Sequence, residues 1–378
     1  MLAVRDVAVS GYRSLRAIRF PVGGLSVFIG ANGVGKTNLY RALECLQSAA
    51  AGTLIRDLAA EGGMESVSWA GERKRHESAR IRWSVELADS ASGLAYDYAV
   101  EVGFKPLKGA AGFPLEPDLK TERLRLISGR RPATMLDRDG PGGFLRDAEG
   151  RKRSLGCDLL PSETVLGTLQ DAGAYPELHQ VRSALAAWRF HHDFRTDAAS
   201  ALRRPCLAVT APTLSSDGSD LAAVFATLAH IRGDTADLAA AVDDAFPGAR
   251  LDLPLPGREA RFGMVFPDYP KRVFEAAELS DGTLRFLALA GALFAYRLPP
   301  FVALNEPETS LHPDLLAPLA RMIVKASERT QIWLVTHSER LADAIVAQGG
   351  TRPHRVIKRE GATWIEGLKL FGDFADDA

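Results

Sequence analysis

Cysteine is scarce in this sequence. Its three cysteines, Cys45, Cys157 and Cys206, lie far apart and form neither a metal-ligand spacing nor a disulfide framework, so a reducing, cytoplasmic compartment is expected. Long apolar runs are missing too. None reaches the roughly eighteen residues that a membrane-spanning helix needs. Arg5, Arg13, Arg16 and Arg19 interrupt the first twenty residues, so no signal peptide is expected. An excess of one charge sign is also lacking. The formal net charge is -1, and no overall basic field announces nucleic acid. There is no internal repeat, and no heptad run long enough for an extended coiled coil. What remains, 46% hydrophobic and 25% charged residues in 378, is the composition of a soluble globular chain of one large domain or two smaller ones.

Hydrophobic patterning divides the chain. Residues 3–10 and 16–29 read as strands, the second ending in the apolar run Leu25-Ser-Val-Phe-Ile29 of a buried parallel strand. A helix is expected over 38–48. Residues 80–104 alternate with period two, the mark of a half-exposed antiparallel hairpin, and turns at 137–143 join further strands. From about 160 to 247 the pattern is helical, with helices over 220–231 and 235–246. Strands are expected over 249–275. The last hundred residues alternate: helix 282–296, strand 300–304, helix 313–327, strand 331–336, helix 338–347, and strands near 354–358 and 363–369. The expected architecture is an α/β mixed-sheet core with an antiparallel β subdomain and an inserted helical subdomain. The expected divisions are 1–158, 159–248 and 249–378.

Gly30-Ala-Asn-Gly-Val-Gly-Lys-Thr37 fits G-x-x-x-x-G-K-[ST] in full. It follows an apolar strand and opens a helix, as the chemistry requires. Glycines Gly33 and Gly35 let backbone N–H groups curl around phosphates, and the helix N-terminus adds partial positive charge. Lys36 is expected to reach the β- and γ-phosphates of ATP, and Thr37 to hold Mg²⁺. Three further segments follow. Phe301-Val-Ala-Leu-Asn-Glu-Pro307 is an apolar strand ending in Asn305 and Glu306, where a carboxylate can polarise water. In Glu278-Leu-Ser-Asp-Gly282, Ser280 is placed to cap a helix, and such a terminus can also hold an anion. Ile332-Trp-Leu-Val-Thr-His337 is a strand ending in a histidine. Ser280 precedes Glu306 by 26 positions (306 − 280), and His337 follows it by 31 (337 − 306).

This order and spacing resemble the RecF/SMC-like branch of ABC ATPases and, within it, a short bacterial group of predicted ATPases. Gly11-Tyr-Arg-Ser-Leu15 resembles the branch's N-terminal strand turn, which implies that Arg13 lies near the nucleotide. The phosphate loop resembles its Walker A motif, with Asn32 and Asn38 among the nucleotide-binding positions. Leu279–Thr283 resembles the signature motif, Leu304–Pro313 the Walker B motif with the following D-loop, and Thr336-His337-Ser338 the switch histidine. The resemblance implies a P-loop NTPase of the ABC type whose two copies pair head to tail around two ATP molecules. Ser280 and Gly282 of one copy would cap the γ-phosphate held by Lys36 and Thr37 of the other. Glu306 would activate water, His337 would contact the γ-phosphate, and Ser310 and Leu311 would communicate across the interface. In one departure, Asn305 stands where an Asp usually supports Mg²⁺, which predicts weaker metal binding and slow turnover. The Q-loop stays open between Gln170 and Gln180.

Residues 120–153 carry ten Lys/Arg against five acids, an excess of +5. They form either a DNA-facing edge or, as the favoured reading, a solvated strand surface. His191, His192 and Asp193 are three adjacent possible metal ligands, but neighbours on a strand face opposite ways. The leading expectation is a Mg²⁺-dependent ATP hydrolase in DNA repair and maintenance or in defence against foreign DNA. A nucleotide-gated module that recruits a partner effector is the alternative. A transporter subunit ranks last, because Lys36 and Ser280 stand 244 positions apart (280 − 36), far beyond the transporter pattern.

Overall fold

The structure is a computed structural model. It describes residues 2–73, 78–89, 91–106, 113–129, 131–156, 159–369, 372 and 374. These fall into two compact units, one of residues 1–23, 30–188 and 354–378, the other of residues 24–29 and 189–353.

The first unit is built on an eight-stranded antiparallel sheet. Its order is Leu15–Pro21, Leu2–Tyr12, Arg80–Asp89, Ala95–Gly103, Asp118–Ile127, Ala133–Asp139, Gly142–Arg146 and Lys152–Ser154. The alternation in the sequence decides which face is buried. In Arg80–Asp89, Ile81, Trp83, Val85 and Leu87 are buried, while Arg80 and Arg82 are exposed. Helix Lys36–Ala51 packs against the strand Arg80–Asp89 and against helix Pro176–Ala186. Its apolar stripe Leu39, Leu43, Leu46 and Ala50 follows the helical period. It stops at Gly52, whose φ of +76° only glycine adopts without cost. A hairpin of His354–Arg359 and Ala362–Ile365 completes the unit.

The basic stretch lies in this sheet, and local partners hold most of its cations. Lys120 pairs with Asp118 at 2.6 Å and Arg123 with Asp137 at 2.9 Å. Arg151 and Arg153 share Asp147. Buried Arg138 donates to the carbonyls of Gly140, Leu160 and Glu163, and Arg146 to those of Thr134 and Gly150. Arg130, like Cys157, lies outside the described residues.

The second unit holds four parallel strands in the order Arg189–His191, Phe301–Asn305, Gln331–Thr336 and Leu25–Ile29. Their apolar runs lack alternation because both faces are covered. Helix Asp281–Phe294 is buried at every residue from Thr283 onward. It packs with helices Leu221–Thr227, Ala236–Ala245 and Leu316–Ser327. Phe28 stacks on Trp333 with ring centroids 4.0 Å apart. Among the described residues no helix is long and apolar enough to cross a membrane.

The mixed α/β architecture with an antiparallel sheet is as expected, and strand Gln331–Thr336 has the expected bounds. Several details differ. The single expected strand 16–29 is two strands, Leu15–Pro21 and Leu25–Ile29, in different sheets, because Pro21 and the following glycines break the ladder. The expected helix 220–231 is α-helical only over Leu221–Thr227 and then widens into a π turn, Leu228–Arg232. The region 160–247 is not wholly helical, since Arg189–His191 is an edge strand of the parallel sheet.

Candidate functional site

The phosphate loop, Gly30–Thr37, lies in the first unit. Gly33 and Gly35 take φ of +80° and +101°, and Gly35 stands at the N-cap of helix Lys36–Ala51. No acidic residue occupies the first turn, so nothing there neutralises the positive end of the helix dipole. Asn32 and Gly33 are exposed, and Thr37 is half-buried in the first turn. Lys36 is buried, and its Nζ donates to the carbonyls of Gly30 at 2.5 Å and Ala31 at 3.0 Å, folding its ammonium back along the loop. Arg13, with φ +49°, donates to Glu61 at 2.5 Å; Tyr12 and Arg41 donate to the same carboxylate at 3.2 and 3.1 Å. Asn38 Nδ2 donates to Ser14 Oγ at 2.6 Å. Gln180 Oε1 accepts from Tyr96 at 2.8 Å, whereas Gln170 is exposed.

In the second unit, three chemical groups meet at the ends of two neighbouring parallel strands. Glu306 follows Phe301–Asn305 with φ +49°, and its N–H donates to Val335 at 2.7 Å. His337 follows Gln331–Thr336, and its Nδ1 lies 3.7 Å from Glu306 Oε1. Glu308, which the sequence reading left without a role, is the third. Its Oε1 accepts from Thr336 Oγ1 at 2.5 Å and from the His337 N–H at 3.1 Å, and lies 3.2 Å from His337 Nδ1. Its Oε2 is buried without a hydrogen-bond partner. The only sequence signal for it was its place two residues after Glu306 in Leu304–Pro313.

Asn305 is buried. Its Nδ2 contacts His192 Nδ1 at 2.5 Å, and its Oδ1 has no partner. An orphaned amide oxygen suits a hard cation or a water bound to one, so Asn305 fits Mg²⁺ as an oxygen donor without the charge of an Asp. The three adjacent residues 191–193 diverge. His191 is buried near the Ser216 carbonyl, and burial holds its pKa down at about 4. His192 meets Asn305, and Asp193 accepts from Arg285 at 2.8 Å.

Ser280 caps helix Asp281–Phe294, accepting from the Thr283 N–H at 3.2 Å. Arg203, for which no sequence signal existed, clamps this segment by donating to Ala277 and Leu279 carbonyls and to the Asp281 carboxylate. A cleft of 660 Å³ opens beside the cap, lined by Ser280, Gly282, Ser310 and Leu311 among others. Ser310 has φ +65°, and a Cβ on Gly282 would stand 3.2 Å from its carbonyl oxygen.

The SMC head domain from Thermotoga maritima is similar over 97% of this chain and all of its own, with TM-score 0.50 and 14% identity. The Smc head domain with an extended coiled coil bound to the C-terminal domain of ScpA, derived from Pyrococcus furiosus, matches with TM-score 0.56 and 12% identity. That match covers 98% of this chain and 97% of the other. A Smc head domain with a coiled coil and joint from Pyrococcus yayanosii gives 0.54 and 11%, covering 98% of each chain. At such identities the likeness is one of fold. No curated protein matches the sequence. The family model described as "AAA domain, putative AbiEii toxin, Type IV TA system" matches residues 25–142 and 179–343, well over half of the chain, and the protein belongs to that family of AAA ATPase domains, with the fold of SMC heads.

Proposed function

We propose that the protein binds ATP with Mg²⁺ and hydrolyses it slowly between two copies paired head to tail, using the cycle in defence against foreign DNA or in DNA maintenance. The observation that carries hydrolysis is the meeting of Glu306 and His337, 31 positions apart in sequence (337 − 306), at 3.7 Å. Glu306 is the general base, accepting a proton from the attacking water, and His337 contacts the γ-phosphate. Lys36 exchanges its loop carbonyls for the β- and γ-phosphates, with Asn32, Gly33, Gly35 and Asn38 shaping the loop and Arg13 beside it. Thr37 and Asn305 are the residues that would hold Mg²⁺, which when bound neutralises phosphate charge. The open cleft beside Ser280 and Gly282 supports pairing, since it leaves a helix N-terminus free to cap the γ-phosphate of a second copy.

The family description names a toxin of a type IV TA system, which favours defence over repair. Local pairing of most of the basic stretch weakens that segment as an argument for DNA. A second reading, a nucleotide-gated module that recruits a partner, is favoured by Asn305, whose amide gives the metal no charge. The SMC head from Pyrococcus furiosus, which binds a domain of ScpA, offers a precedent for partner binding.

The test is ATP turnover by the purified protein with Mg²⁺, beside Glu306→Gln, with mass followed by light scattering. Turnover in the wild type, a loss of about 100-fold or more in the variant and an ATP-dependent dimer support the hydrolase. ATP binding with neither turnover nor a dimer would overturn it, leaving a nucleotide-sensing relic or a site that needs a missing partner.

A further inference from the structure

The hydroxyl of Thr363, in the C-terminal hairpin, reaches the phosphate loop across 329 positions of sequence. Its Oγ1 donates to the Val34 carbonyl at 2.7 Å. A carbonyl only accepts, so the single hydroxyl proton of Thr363 is committed there. Ser14 Oγ lies 2.6 Å from Thr363 Oγ1 and must therefore be the donor in that contact. Asn38 Nδ2 in turn donates to Ser14 Oγ at 2.6 Å. The relay thus has one sense: Asn38 amide, Ser14 hydroxyl, Thr363 hydroxyl, Val34 carbonyl. The backbone fixes its members, since the Thr363 N–H donates to the Ser14 carbonyl at 2.8 Å and Thr363 is 1% exposed. The loop is packed onto the two hydroxyls. A Cβ on Gly35 would stand 1.9 Å from Thr363 Oγ1 and 2.5 Å from Ser14 Oγ.

The Val34 carbonyl and the Gly35 N–H belong to one trans peptide unit and point opposite ways. Whatever holds the carbonyl therefore aims the N–H. We propose that Thr363, seconded by Ser14, is a positioning residue of the phosphate loop, fixing the Val34–Gly35 peptide so that the Gly35 N–H stays turned toward bound phosphate. This rests on the ATP-binding reading above.

The test measures binding of ADP and of a non-hydrolysable ATP analogue by calorimetry, with steady-state ATPase and melting temperature alongside. Thr363→Val keeps the shape and removes the hydroxyl. It should weaken both nucleotides about tenfold and raise KM by a similar factor, with kcat within about twofold, because the loop contacts ground and transition states alike. Thr363→Ser restores the donor and should bind within about twofold of the wild type. Ser14→Ala, which leaves the buried threonine in place, should weaken binding about threefold and serves if Thr363→Val does not fold. Unchanged nucleotide affinity in Thr363→Val, or in Ser14→Ala where that variant stands in, overturns the proposal, as does a fall in kcat alone. Failure of the wild type to bind nucleotide, with Lys36→Ala indistinguishable from it, would instead sink the ATP-binding reading.

Discussion

At the scale of single residues, the pairing of Glu308 with His337 gives the sharpest expectation. The carboxylate sits 3.2 Å from Nδ1 and is itself held by Thr336 and by the His337 N–H. A carboxylate on Nδ1 fixes the ring's tautomer and leaves Nε2 for substrate. Glu308→Gln should therefore lower kcat about tenfold and leave KM nearly unchanged, in steady-state ATPase assays. Asn305→Asp restores a charged oxygen donor and should lower the Mg²⁺ concentration needed for half-maximal turnover. An unchanged requirement would remove the explanation of slow turnover through Asn305. Glu44, half-buried on the helix that follows the phosphate loop, supplies a pH test. Burial, with Glu61 and Asp57 nearby, pushes its pKa up to about 7 despite Arg41. An acid with a raised pKa in the fold adds stability below its unfolded pKa of about 4.5, and that stability is lost as pH rises through about 7. Glu44→Gln should thus gain a few degrees in melting temperature over the wild type at pH 8 and almost none at pH 4.5.

Elements show where local chemistry sufficed. The Ser280 cap could be read from a serine ahead of an apolar helical run, and Ser280 does cap Asp281–Phe294. Capping and γ-phosphate contact can be separated. Ser280→Asp preserves a good N-cap but sets a carboxylate where a phosphate is expected. Melting temperature should hold within a degree or two while ATPase activity falls at least about tenfold. Unchanged activity would leave Ser280 as a cap alone. The strand Arg189–His191 was not legible. Three residues carry too little periodicity, and Phe190 and His191 are buried because the strand pairs with Phe301–Asn305, more than a hundred positions away. The hairpin His354–Arg359 with Ala362–Ile365 was legible as strands, but not as a brace for the phosphate loop.

For the molecule as a whole, pairing around ATP is the property to be measured. Because each copy is proposed to lack the γ-phosphate cap that the other supplies, Glu306→Gln with ATP and Mg²⁺ should sediment as a dimer and return to the monomer when EDTA is added. A dimer that persists without nucleotide would mean an interface of another kind.

The sequence alone determined the covalent motifs and their order: the glycines and lysine of residues 30–37, the strand-end pair Asn305-Glu306, Ser280 ahead of its helix, and His337. Each depends on neighbours within a few residues, where backbone geometry and periodicity act directly. Tertiary structure decided which groups those motifs meet. It gave Glu308 its place beside His337, tied Asn305 to His192, set Arg203 on the Ser280 segment, and brought Thr363 to the loop that begins at Gly30. Those contacts join residues tens to hundreds of positions apart, and periodicity tells which face of an element is buried, not what will be packed against it.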